Sequence, residues 1–159
     1  MSIFPTKILL ATDGSEEAQL ALSTAVDQAN STNSELHVIT VGPYNPDPAY
    51  ATHEASFRWE TYEEVIEGIG KETQQILDEQ VKKAAEAGGT VQEAYVRRGR
   101  KDQEIVRLAE QIGAGLIVIG SRGRAGVRRA LMGSVSDSVV RHAHCPVLVV
   151  RKQKQQAAL

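Results

Sequence analysis

The stretch LIVIGSRGRAGVRRALMGSVSDSVVRHAHCPVLVV, residues 116–150, decides how this chain is read. It opens on the apolar run Leu116 to Gly120 and closes on another, Pro146 to Val150. Apolar runs without polar alternation mark strands buried on both faces of a sheet. Ser134 to His142, between them, reads as a helix. Strand, loop, helix and strand in that order form a parallel crossover unit, which is right-handed in nearly all proteins.

Outward from this unit the same alternation continues to the start of the chain. Lys7 to Ala11 (KILLA) is a short strand, and the helix after it places Ala18, Ala21, Leu22, Ala25, Val26 and Ala29 on one face. Glu35 to Val41 (ELHVITV) is the second strand. A long helix follows, with Val65, Ile66, Ile69, Thr73, Ile76, Leu77, Val81 and Ala84 along one side and a stop at Gly88-Gly89. Val91 to Arg97 is the third strand, and Ile105, Val106, Leu108, Ala109 and Ile112 line the next helix. Strands alternating with helices predict a doubly wound α/β fold, its five-stranded parallel sheet covered on both faces by four helices.

A chain of 159 residues is expected to form one domain, here over residues 1–151, with residues 152–159 (KQKQQAAL) as a frayed tail. Residues 42–60 interrupt the rhythm as a flexible loop insertion, holding Pro43, Pro46 and Pro48 with no helical period. A loop of that length is either functional or poorly ordered. Its Tyr44, Tyr50, Phe57 and Trp59 either cover a site or pack on the long helix.

The formal net charge is −2, which speaks against a general attraction to nucleic acid. Charge is nevertheless uneven: Arg122, Arg124, Arg128 and Arg129 stand without an acid in residues 121–130, whereas Glu54, Glu60, Glu63, Glu64 and Glu67 crowd an earlier segment. Cys145 is the single cysteine, so no intrachain disulfide forms, as in a reducing compartment. No basic-then-apolar leader stands at Met1, and no apolar run approaches the roughly 18 residues of a membrane span. The expectation is a cytoplasmic protein that engages neither membrane nor nucleic acid.

In an open parallel sheet, ligands bind beyond the carboxyl ends of the strands. Gly120 closes the fourth strand, so the glycine- and arginine-rich loop lies at such an end. Glycines there let the backbone approach a phosphate, and the next helix N-terminus offers unpaired N–H groups, here from Gly133, Ser134 and Val135. The Ser134 hydroxyl and the arginines add further donors. A second reading stays open on the same residues. Ser134 with Asp137 makes a helix capping box, Gly120 and Gly123 serve a tight turn, and the arginines are solvated. The P-loop pattern is absent, because Gly70-Lys71 precedes Glu72 within a helix. Gly113-Ala114-Gly115 precedes a strand and Val118 stands where a dinucleotide fingerprint needs glycine, which removes that motif too.

The order Gly120-x-x-Gly123, nine residues, then Gly133-Ser134 resembles the Gly-2x-Gly-9x-Gly-Ser/Thr signature of the ATP-binding branch of the universal stress protein family. The ATDGS opening at residues 11–15 and the HAHCPVLVV close at residues 142–150 extend the resemblance over nearly the whole chain. It implies a Rossmann-like sheet ordered 3-2-1-4-5 and a homodimer through the last strand, Val147–Val150. Such pairing would also cover an exposed strand edge. It further implies that Ala11, Thr12 and Asp13 hold adenosine, with the Asp13 carboxylate on the ribose hydroxyls and Val41 offering backbone groups to adenine. For Asp13 the alternative is an N-cap of the first helix, with Glu16 three residues on.

By the same resemblance Gly120, Arg122, Gly123, Gly133, Ser134 and Val135 surround the phosphates of ATP. Magnesium would be held mainly by phosphate oxygens and water, with no protein metal ligand. His142, His144 and Cys145 are read as structural, for want of a fourth zinc ligand. The sequence shows no general base beside the loop, so no catalytic residue is assigned and ATP is read as a regulatory ligand. Slow hydrolysis or self-phosphorylation, cyclic AMP as ligand, and a nucleotide-independent dimeric interaction module are the alternatives.

Overall fold

Lys7–Ala11, the first apolar run, forms β1 and takes the central place in a five-stranded parallel sheet ordered β3-β2-β1-β4-β5. The computed structural model describes residues 2–43, 62–122 and 132–152. Among them β1 is followed by α1 (Glu16–Thr32), β2 (Glu35–Gly42), α2 (Tyr62–Glu86) and β3 (Val91–Arg98). Then come α3 (Lys101–Ile112), β4 (Leu116–Gly120), α4 (Ser134–His142) and β5 (Val147–Val150). The expected doubly wound architecture and strand order are both present.

In the central strands, residues in register send their side chains to the same face, so two cores form with a period of two along each strand. Leu10 stands level with Val38 and Val118, and these pack with Ile8, Leu22, Ala25, Leu77 and Ala84 on the face covered by α1 and α2. Leu9, Ile39, Ile117 and Ile119 point the other way and meet Ile105, Leu108, Ala109 and Val139 of α3 and α4. Ile8, Leu9 and Leu10 are completely buried. Enclosure on both faces is the physical reason these strands lack polar alternation.

Local chemistry sets the helix ends. Ser15 caps α1, its hydroxyl accepting from the Ala18 N–H at 3.3 Å. Gly113 closes α3 in the left-handed conformation at φ 70°, which glycine adopts without a Cβ penalty. On α2 the buried residues are Val65, Thr73, Leu77, Gln80 and Ala84, whereas Ile66, Ile69, Ile76 and Val81 of the expected face are only partly covered. Gln80 enters the interior because a buried partner, Thr12, awaits it there.

Three strand limits differ from expectation: β2 continues to Gly42, β3 to Arg98, and Pro146 lies outside β5. Pairing of Gly42 with Arg98 carries the ladder one residue further, which a hydrophobic pattern cannot register. β3 forms the sheet edge and leaves Gln92, Glu93 and Ala94 exposed, so it lacks the enclosure of its neighbours. Of the expected 42–60 loop, only Gly42 and Pro43 are among the described residues. Of the expected tail, only Lys152 is.

Candidate functional site

From β1 the chain winds to β2 and β3 on one side of the sheet, then returns to place β4 and β5 on the other. The chain therefore leaves the carboxyl ends of β1 and β4 towards opposite faces of the sheet, which marks the crevice where parallel sheets take ligands. The ATDGS turn forms one wall. Ala11 is buried, and the Thr12 hydroxyl donates to Gln80 Oε1 at 3.0 Å while accepting from the Gly14 N–H at 3.3 Å. Thr12 thus serves the core with its side chain and ends the ladder with its N–H, which donates to Ile39 C=O at 3.1 Å.

Asp13 does not cap α1; Ser15 does. The Asp13 Oδ1 accepts the Ser15 N–H at 2.9 Å, a turn that lifts the half-buried carboxylate two residues ahead of the helix. Gly14 makes this possible at φ 78°. The capping alternative for Asp13 is corrected accordingly.

Val41 reaches the same crevice from β2. In a parallel ladder successive residues direct their peptide groups to alternate neighbours. Ile39 C=O serves Thr12 on the β1 side and Gly42 C=O serves Gly99 on the β3 side. Val41 therefore turns its N–H and C=O towards the β1 side, at the level where β1 has already ended.

The base of the glycine loop is tied together by backbone and hydroxyl groups. The Gly133 N–H, expected as an unpaired phosphate donor, instead donates to Ser121 C=O, which corrects that expectation; the Ser136 hydroxyl lies 2.8 Å from the same oxygen and 3.1 Å from Gly133 C=O. A Cβ on Gly133 would stand 3.1 Å from Ser121 O, and one on Gly120 would stand 3.2 Å from the Glu17 carbonyl carbon of α1. At both glycines a side chain would crowd backbone, which would have to give by a few tenths of an ångström. Glu17 completes the base. Its Oε2 accepts from Ser121 Oγ at 2.5 Å and from the Arg122 N–H at 2.7 Å, and its Oε1 lies 3.7 Å from Arg122 Nε.

Ser134 is the first residue of α4 rather than its cap. Gly133 holds the cap position without a side-chain bond, and Asp137 pairs with Arg141 at 3.2 Å. The Ser134–Asp137 capping box is therefore corrected, because Gly133, drawn against Ser121, takes the cap position; the helix itself spans Ser134–His142 as expected. Ser134 is exposed, and the Val135 side chain packs on the second core. Gly123, Arg124, Arg128 and Arg129 lie outside the described residues. Glu17 escaped the sequence reading, since an acid in a helix's first turn is commonplace.

A model of the universal stress protein family matches residues 5–151. The chain belongs to the universal stress protein family. This universal stress protein is 36% identical over 153 residues to universal stress protein MJ0531 of Methanocaldococcus jannaschii, covering 94% of this chain and 84% of that one. Its fold is similar to that of the universal stress protein UspA from Lactobacillus plantarum, with a TM-score of 0.76 and 24% identity over 94% of this chain and all of the other. A universal stress protein solved in complex with cAMP is also similar, with a TM-score of 0.65 and 25% identity over 94% of this chain and 99% of that one.

Elsewhere in this universal stress protein, His142 Nδ1 lies 2.8 Å from Ser138 C=O, one turn back in α4. Cys145 packs against the second core, and burial pushes its thiol above the ordinary value although Ile117 offers it a backbone hydrogen bond. No group of three or more potential metal ligands occurs among the described residues, and no helix there is long and apolar enough to cross a membrane.

Proposed function

We propose that this universal stress protein binds an adenine nucleotide, ATP with magnesium, as a regulatory ligand in the crevice between β1 and β4. One convergence carries the reading. The Asp13 carboxylate, the Val41 peptide edge and the loop base of Gly120, Arg122, Gly133 and Ser134 each belong to a segment at or just beyond the carboxyl end of β1, β2 or β4, which supports a common site. Asp13 accepts the ribose hydroxyls, Val41 meets adenine, and the N-terminus of α4 faces phosphate oxygens with the backbone N–H groups of Ser134 and Val135. Ala11 and Thr12 shape the wall, while Gly123 and Val135 extend the phosphate contacts. Magnesium sits on the phosphates and water.

Occupancy acts on stability and partner choice: ligand at a hundredfold over its dissociation constant adds about 2.7 kcal/mol. The protein works in the cytoplasm as a homodimer through Val147–Val150, a role supported by the half-exposed Leu148 on that edge strand. A second reading, cyclic AMP as ligand, is favoured by the related protein solved with cAMP. It needs fewer phosphate contacts and no metal.

Calorimetric titration of nucleotide-stripped protein separates the two. Micromolar ATP binding that requires magnesium and disappears in Asp13→Ala supports the first reading. Metal-independent cyclic AMP binding supports the second, and no heat with either leaves a dimeric interaction module.

A further inference from the structure

Glu17 places a carboxylate where the proposed function needs a phosphate. Only 13% of its side chain is exposed, and its Oε2 accepts from the Ser121 hydroxyl at 2.5 Å and from the Arg122 N–H at 2.7 Å. The Arg122 guanidinium stands nearby, its Nε 3.7 Å from Glu17 Oε1, an ion pair beyond hydrogen-bonding distance. Hydroxyl, backbone N–H and guanidinium are the groups that recognise phosphate oxygens. The first turn of α1 favours a negative charge at this position, which keeps Glu17 suited to the role of an anion.

We propose that Glu17 is an internal anion that engages Arg122 until a phosphate competes for it, and so sets the affinity of the site according to the charge of the ligand. The inference rests on the nucleotide reading above. A fixed carboxylate beside the loop repels an incoming phosphate, and in a partly buried site this repulsion is weakly screened. The penalty falls on AMP and on magnesium-bound ATP, each of which carries about two negative charges, and is absent for adenosine. Arg122 exchanges one anionic partner for another on binding, so occupancy loosens the link between α1 and the end of β4. That gives the nucleotide a differential effect on the loop base, the requirement for any ligand-driven switch.

The test is calorimetric titration of the wild type, Glu17→Gln and Glu17→Asp with ATP and magnesium, with AMP, and with adenosine. Glutamine keeps the size and an acceptor for the Arg122 N–H but removes the charge. It is expected to tighten magnesium-bound ATP and AMP each by about threefold to tenfold, with adenosine changed less than twofold. Glu17→Asp keeps the charge and shows no such gain.

A loss of packing alone would move all three ligands together, and that result, or unchanged ATP affinity in Glu17→Gln, overturns the inference while leaving nucleotide binding intact. A wild type that binds none of the three overturns the nucleotide reading and the inference with it. If Glu17→Gln fails to fold, the Arg122 amide and Glu17 carboxyl resonances of the wild type decide. They shift with ATP and not with adenosine if Glu17 yields its partner, and equal shifts with both overturn the idea.

Discussion

Glu17 and Ser121 stand 104 residues apart in the chain and share a hydrogen bond of 2.5 Å. Through it the first turn of α1 holds the end of β4, and the two segments approach closely enough that neither tolerates added bulk.

Gly120→Ala is expected to destabilise the protein by about 1–3 kcal/mol, because the new Cβ meets the α1 backbone at 3.2–3.4 Å and no flexible side chain can move aside. Urea unfolding measures this directly. Wild-type stability in the variant would mean that the glycine serves the ligand alone.

Gly68→Ala is expected to have the opposite sign. Gly68 lies within α2 with nothing within 4 Å of its would-be Cβ, so alanine gains helix propensity of about 0.8–1 kcal/mol at no steric cost. A rise in melting temperature of a few degrees checks it, and a fall would show that α2 needs the glycine for another reason.

The Thr12–Gln80 pair links β1 to α2 with both residues buried. Thr12→Val leaves the Gln80 oxygen without its donor and is expected to cost about 1–3 kcal/mol. Adding Gln80→Leu should cost less than the sum of the single changes, since the Gln80 amide is removed together with its partner and only the part-buried Gly14 N–H loses an acceptor. Strict additivity in a double-mutant cycle would exclude coupling between them.

Asp102 ties α3 to α4 by accepting from the Ser138 hydroxyl at 2.7 Å. Burial pushes its carboxyl up, but the hydrogen bonds from Ser138 and the Gln103 N–H, together with Arg100, outweigh burial and hold it below the ordinary value. A depressed carboxyl stabilises the fold above its unfolded value of about 3.9, and that stability is lost as pH falls through the folded value. Ser138→Ala raises the folded value, so acid unfolding should begin at a higher pH. At pH 7 the loss should be about 1 kcal/mol, shrinking to nothing below both values. Superimposable acid transitions in wild type and variant would rule this out.

KILLA and LIVIG were legible as strands because burial on both faces erases polar alternation; PVLVV shows the same apolar run yet forms the partly exposed edge strand β5, so its run does not reflect enclosure. Helix faces were legible where apolar residues recur every three or four positions. The caps were less so. Asp13 and Ser15 both suit an N-cap, as do Gly133 and Ser134, and the choice between neighbours depends on where the incoming chain turns. Gln80 was hidden for a related reason: a polar residue on an apolar face looks like an interruption until its partner 68 positions away is known.

The sequence by itself determined the order of strands and helices, the faces that form the two cores and the family signature. These follow from local periodicity and from residue types at fixed spacing. Tertiary structure alone decided which groups meet: that backbone packs closely against Gly120 and Gly133, and that Glu17 pairs with Ser121 and Arg122. Contacts between segments a hundred residues apart depend on how the sheet brings its strand ends together, and no local pattern encodes that distance.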